Sequence, residues 1–545
     1  MIVSGCSGQN PVDNPSAPSD PAGEPQPDPE EEARKRQEEW ERRNEELKEE
    51  LGKYYVPLPP LDQPENPPQK VRGLYCTGHT VGYPPRYDYI LDLLDKTELN
   101  ALVIDVMDDS GKMSYYSEIE AVQELQAVYD PPPITDIRAT LEELHSRGIY
   151  TIARIVVFKD MHMGTARPEW CIPLKSGGVY RDRGGFSYGN PFNEEIWDYK
   201  LAIAKEAALL GFKEIQFDYI RFPDNAAYME EVADYPGRNG RPKAEAIAGF
   251  VKRAREELAP YNVHVSHDPF GVIVSSWGDN DDIGQIWEVF AANSDYVYPM
   301  IYPSHYGVNQ GWFGLRAPDT DPVTVVTGAL TDAIKRSATL KNPAVIRPWL
   351  QAFTASYLGG GNYIPYGAAE IRQQIDAALA LGIDEYVLWD PANSNYPTAA
   401  FFTAAEADRR AAERAAQRES KGQDHLNRTA RQAVEIFLEA IKEGDWREAF
   451  ALHRTGREGS YEEGNRYRAW FNENKGKPST WTITGTAEAG GTMLVNLDLV
   501  ISSGGEEHRL EGEQWAVVME NSVWRISPSN RFVELWEGTE LEERG

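Results

Sequence analysis

Eight short apolar runs, each followed by a longer stretch of helical period, constrain this chain more than any other feature. They are VRGLYCTG (71–78), ALVIDVMD (101–108), YTIARIVVF (150–158), EIQFDYIRF (214–222), NVHVSHDPF (262–270), DYVYPMIYP (295–303), AVIRPWLQAF (344–353) and EYVLWDPAN (385–393). The helical stretches are 87–97, 135–147, 193–210, 243–258, 282–292, 323–339, 367–381 and 397–417. Runs this apolar suit strands buried on both faces, and helical crossovers make successive strands parallel. The steps Gly148-Ile149, Gly211-Phe212 and Gly382-Ile383 mark helix ends, where a residue of positive φ reverses the chain. Eight such units predict an α/β fold, a (β/α)8 barrel over 70–402; a doubly wound sheet of eight strands is the weaker alternative.

The flanks read differently. Residues 7–30 are rich in Pro, Asp and Ser, and cannot bury enough apolar surface to offset chain entropy. Residues 30–52 mix both charges at helical spacing, which suits a solvated helix, and 57–68 is again proline-rich, so 1–69 reads as a tether. A charged, alanine-rich helix at 403–425 links the barrel to a second module over 426–537. That module has two amphipathic helices broken at Gly444-Asp445, then alternating strands at 480–487, 492–502, 507–519 and 522–527, an α+β order. The order resembles the cone of nuclear-transport-factor-2-like domains, and its expected role is binding or spacing.

Charge and cysteines narrow the partners. With 86 acidic against 55 basic residues and a formal charge of -31, the chain offers no broad basic surface for a phosphate backbone, so nucleic acid is not expected. Three cysteines are too few for a disulfide framework or a metal cluster; Cys76 and Cys171 read as buried or free thiols. Cys6 follows Val3-Ser4-Gly5, which resembles a bacterial lipobox, and predicts lipidation and an extracellular, cell-surface location. A signal peptide also needs a basic start and an apolar run of about 7–15 residues, so this reading requires a start further upstream; an incidental cysteine is the other reading.

In (β/α)8 enzymes the reacting groups sit at the C-terminal strand ends. Here those ends carry Asp105 and Asp108, Asp218 and Arg221, His267 and Asp268, Tyr302 and His305, Gln351, and Asp390 and Asn393. Charged groups at the tips of apolar strands are costly to bury unless paired or solvated by a site. Residues two apart share a face, so if Val263 and Val265 face the outer helices, Asp268 faces the barrel, and the same alternation turns Gln216 and Asp218 inward. Trp349 and Trp389 are candidate platforms for sugar rings, with core filling as the alternative. His264 and His267 differ by an odd step, and no HExxH, DxDxDG or paired CxxC spacing occurs, so neither metal nor cofactor is expected.

The segments RGLYCTG, NALVIDVMDDSGKM, ARIVVFKD, FKEIQFDYIRFP, VSHDPFG, DYVYPMIYPSHY and LWDPANSNY together resemble the bacterial family of putative glycoside hydrolase domains. The resemblance implies a barrel related to retaining glycosidases, with carbohydrate as partner and an acidic residue ending strand four as nucleophile or acid/base. That role falls on Asp218. Glycosidic cleavage needs a second carboxyl group: Asp268 is the expected acid/base and Asp390 its rival, with Arg221 expected to hold Asp218 ionised. Asp105, His267, Tyr302, His305, Trp349, Gln351, Trp389 and Asn393 complete the candidate substrate contacts. A carbohydrate-binding barrel without catalysis is the competing reading. A second inward carboxylate beside Asp218 would favour catalysis.

Overall fold

A computed structural model describes residues 29–455, 459–474 and 476–538. Cys6, and with it the expected lipidation site, lies outside the described residues.

The eight runs form a closed parallel ring. Its strands are β1 (Arg72–Cys76), β2 (Ala101–Met107), β3 (Tyr150–Val156), β4 (Glu214–Asp218), β5 (His264–His267), β6 (Tyr296–Val297), β7 (Met300–Ile301), β8 (Val345–Ile346), β9 (Trp349–Gln351) and β10 (Tyr386–Trp389). Ten segments make eight staves because Pro299 and Pro348, which have no N–H to give to a ladder, each break one run in two. The pairing resumes beyond each break: Trp349 donates its N–H to the Pro299 carbonyl and Met300 donates to Pro269, both at 3.0 Å. With β6 on β8, β7 on β9, β9 on β10 and β10 on β1, the ring closes.

Period-two alternation sorts the side chains into two layers. Inward residues, among them Tyr75, Val103, Ile152, Tyr298, Tyr302 and Trp349, pack as one buried cluster inside the ring. Their outward neighbours, such as Leu74, Ile104, Phe217 and Val265, join a larger cluster beneath the helices. The helices that cover the ring include Pro84–Lys96, Ile137–Ser146, Glu194–Leu210, Lys243–Leu258, Pro322–Ser337 and Ala368–Ala380. The charged N-terminal helix, Pro29–Leu51, stays largely exposed, and Asn44 and Trp40 tie it to the strap at 55–59.

The second module has its own core. Helix Ala430–Glu443 is opened by a Thr429–Gln432 capping box and closed by Gly444, whose φ of 82° stops the helix; Asp445 then caps helix Trp446–Leu452. Helix Tyr461–Glu473 and the antiparallel sheet β11 (Lys477–Ala489), β12 (Thr492–Ser503), β13 (Glu506–Glu520) and β14 (Val523–Ser527) follow in sequence order. Helix Asn530–Glu537 completes a core built on Phe437, Trp515, Phe532 and Trp536.

This module docks on the barrel's flank through Trp277, in the loop after β5. The Trp277 indole packs edge-on against Trp446, at 4.7 Å between ring centroids, and donates to Asn465 at 2.8 Å. Lys335 and Glu448 add an ion pair across the boundary.

Candidate active site

The mouth of the barrel is built around a buried guanidinium. Arg154 stands on the inner face of β3, between Asp105 on β2 and Asp218 on β4, and all three are almost fully buried. Its Nε and Nη2 both donate to Asp218 Oδ2, at 3.0 and 2.5 Å, and its Nη1 donates to Asp105 Oδ1 at 2.5 Å. Asp105 Oδ2 also accepts from the Tyr75 hydroxyl at 2.5 Å. Burial pushes Asp105 up to about 6, against the opposing pull of Arg154. The guanidinium lies 5.1 Å from the Trp389 ring centre and 5.6 Å from that of Tyr75. Tyr75 and Trp389 themselves stack at 4.0 Å, giving Arg154 an aromatic wall.

Asp268 is the third carboxyl of this ring. It follows β5 directly, its N–H donates to the Phe217 carbonyl at 3.0 Å, and it therefore lies beside Asp218 on the same face, about 5 Å away backbone to backbone. It is 1% exposed, and among the described residues neither of its oxygens has a hydrogen-bond partner. The Trp349 indole eases its charge without reaching hydrogen-bond geometry. Burial first, and the neighbouring Asp218 charge second, hold Asp268 well above the usual carboxylate range. Three carboxyl groups thus surround one guanidinium. Keeping a proton on the unpaired one is the least costly arrangement, since two like charges this close cannot both be accommodated away from water.

Tyr219, next to Asp218, has a φ of 51°, a conformation that costs a bulky residue strain. In this position its N–H donates to Asp218 Oδ1 at 2.5 Å, so the turn completes the carboxylate's hydrogen bonding. The same turn carries Arg221 away. Arg221 donates to Asp224 at 2.8 Å and to the Phe222 carbonyl, and lies over the Phe270 ring; the expectation that it holds Asp218 is corrected, because Arg154 does so. Arg154 escaped the sequence reading as a single charge inside the apolar run YTIARIVVF. Its even spacing from Ile152 was the available signal, as it put the charge on the inner face.

Other candidates divide between the mouth and the scaffold. Tyr302 sits beside Asp218 and Asp268; burial first, and the Asp218 charge second, raise its hydroxyl well above the ordinary range. His305 packs against Tyr302 at 5.1 Å and is exposed. Trp349 is buried in the inner cluster beneath them, with Trp389 perpendicular to it at 5.6 Å. Asp390, the expected rival acid, is spent on its own loop: Oδ2 accepts from the N–H groups of Ser394 at 2.5 Å and Asn395 at 2.7 Å, and Oδ1 from Ala392 at 3.2 Å. Asn393 staples the last stave to the first, donating to Tyr75 O and accepting from Thr77 N and Thr80 Oγ1. Gln351 is buried and bonded to Ser304, Asp319 and Phe353. His267 faces outward instead, stacked on Phe217 and bonded to Ser294, so it stands behind the wall and cannot meet a ligand at the mouth.

On the same rim, a cavity of about 740 Å³ opens between the 174–184 loop and Asp224, Asn225 and Tyr228. Among the described residues no group of His, Cys, Asp and Glu is arranged to hold a metal ion.

No curated protein matches the chain. Among solved structures, a hypothetical protein from Ruminiclostridium thermocellum ATCC 27405 is 38% identical over 36% of this chain and 96% of its own length, with a TM-score of 0.33. The PgaB (BpsB) glycoside hydrolase domain from Bordetella bronchiseptica is 15% identical over 61% of this chain and 97% of its own, with a TM-score of 0.45. The spore cortex-lytic enzyme SleL of Bacillus megaterium QM B1551 is 13% identical over 63% and 74%, with a TM-score of 0.35. A family model described as "Putative glycosyl hydrolase domain" matches residues 73–396, more than half of the chain, and the chain therefore belongs to that family.

Proposed function

We propose that this chain hydrolyses glycosidic bonds of a polysaccharide or cell-wall glycan, with Asp218 as nucleophile and Asp268 as acid/base. The observation that carries the proposal is the contrast between two adjacent inward carboxyl groups: Asp218 is paired with Arg154, while Asp268 is buried without a partner and favours its protonated form. Neighbouring carboxyl groups held in such different surroundings divide the roles of base and acid. In the first step the proton of Asp268 passes to the leaving oxygen as the glycosidic bond breaks, and Asp218 forms a bond to the sugar's anomeric carbon. In the second, Asp268 takes a proton from water, whose oxygen displaces Asp218, so configuration is retained. Trp389 and Tyr302 supply aromatic faces for the sugar, and Arg154 holds Asp218 in place through both steps.

The test is hydrolysis of a broad panel of polysaccharides and aryl glycosides by wild type, Asp218→Asn and Asp268→Asn. Cleavage by wild type, lost in Asp218→Asn, supports the proposal. Retained glycan binding without cleavage anywhere in the panel, unaffected by Asp218→Asn, would replace it with the carbohydrate-binding reading. Anchoring at the cell surface through Cys6 belongs to the same proposal, and metabolic labelling with a fatty acid, compared between wild type and Cys6→Ser expressed from the full gene, decides it.

A further inference from the structure

At the mouth a chain of hydrogen bonds fixes which nitrogen of His305 carries the proton. It starts at Gln351, whose side chain has two distinguishable ends. One end lies 2.8 Å from Asp319 Oδ1 and 3.0 Å from the Phe353 carbonyl oxygen. A carbonyl can only accept, so this end is the NH2 group. The other end lies 3.1 Å from the Ser304 backbone N, which can only donate, so it is the amide oxygen, Oε1.

Ser304 Oγ lies 2.8 Å from that same oxygen. An amide oxygen has no proton to give, so the single hydroxyl proton of Ser304 points at Gln351. Toward His305 Nδ1, at 3.0 Å, Ser304 Oγ is then left as an acceptor. The neutral imidazole must therefore carry its proton on Nδ1, and its lone pair on Nε2. Ser304, Gln351 and Asp319 are buried, whereas His305 is exposed and packs against Tyr302, the tyrosine between the carboxyl cluster and the rim.

We infer that His305 is a tautomer-locked hydrogen-bond acceptor at the rim, that its Nε2 receives a hydroxyl of the bound glycan, and that Ser304, Gln351 and Asp319 are positioning residues acting through it. Glycan binding at this rim rests on the glycosidase reading above; the tautomer does not. An acceptor held this way discriminates among sugars. A hydroxyl directed at Nε2 is bound, whereas an epimer or deoxy sugar leaves the nitrogen without its donor. The lock matters because a free imidazole prefers its proton on Nε2, which would present a donor where the site offers an acceptor.

The first arm of the test is 15N NMR of the full chain labelled at histidine, at pH 7.5, with the His305 signals assigned from their loss in His305→Phe. Expected is a protonated Nδ1 and a bare Nε2 in wild type, shifting to mostly Nε2–H in Ser304→Ala. A wild-type His305 that carries its proton on Nε2 overturns the inference whether or not Ser304→Ala folds. The second arm uses the aryl glycoside that wild type cleaves best. Ser304→Ala and His305→Phe should raise KM about tenfold with kcat kept within about twofold, and an unchanged KM would remove the glycan contact. A panel without any hydrolysis would count against the glycosidase reading alone, with the tautomer still decided by the spectrum.

Discussion

Two of the barrel's buried arginines stand at its opposite ends, and they are solved differently. At the base, Arg347 meets Glu214 at 2.8 Å, Glu385 at 2.6 Å, the Tyr298 hydroxyl at 3.0 Å and the Gln69 carbonyl, and its guanidinium lies over Tyr296. At the mouth, Arg154 has two carboxylates and two aromatic rings around it, an arrangement of the same kind. The base has two acids for its arginine and ties four staves to the segment that enters β1 at Gln69. The mouth adds a third acid, Asp268, with nothing to bond it. A buried ion pair alone is weak grounds for function, since the base does with it what a packed core would do. The surplus carboxyl is what separates a site from a structural knot.

The sharpest break of this comparison is Asp218→Asn, which should lower glycoside hydrolysis by at least about 10⁴-fold while the protein stays folded by circular dichroism. A loss of less than about tenfold would put the mouth in the same class as the base. Next, Arg347→Met should destabilise the fold by about 3–5 kcal/mol in urea unfolding, because two buried carboxylates lose their counter-charge. Hydrolysis, measured on the protein that remains folded, should change little.

Asp268→Asn separates acid from scaffold. It should slow cleavage of an alkyl glycoside by about 10²–10³-fold, yet leave a dinitrophenyl glycoside, whose leaving group needs no proton, close to wild type in its first turnover. Stability should hold or rise slightly, since an unpaired buried acid is removed. Equal losses on both substrates would shift the acid role elsewhere.

The smallest effect is on pH. Burial raises Asp105 to about 6 in the fold, above its unfolded value, so the folded state holds a proton that the unfolded state has released. Its contribution is therefore full below about pH 4 and is lost as pH rises through about 6. On the order of 2 kcal/mol of urea stability should disappear across that window, and Asp105→Asn should flatten the slope. A wild-type curve without the decline would mean that Arg154 outweighs burial at this position.

Much of this was legible in the chain. Eight apolar runs marked eight staves, and alternation alone turned Asp218 and Asp268 inward, because a strand's period of two is set by covalent geometry and survives any tertiary context. What failed was proximity along the chain. Arg221, three residues from Asp218, was an obvious partner until the left-handed turn at Tyr219 carried it off; the actual partner is 64 residues away, on the neighbouring stave. His267 shares a face with Val265, so alternation already placed it outside. Asp390 was ambiguous between site and turn, and the loop amides 392–395 decide for the turn.

The grip on Trp277 bears on how this chain can be cut. Between Asp268 and that tryptophan lie only the residues of one loop, and Arg336 pins it further through the carbonyls of Ile273, Val274 and Ser276. Gly271 leaves no room for slack, since an added Cβ would stand 2.3 Å from the Met300 carbonyl oxygen. The covalent boundary near residue 425 is thus not a mechanical one: the loop that carries the acid is clamped on its far side by the second module. The two parts are therefore expected to unfold as one piece.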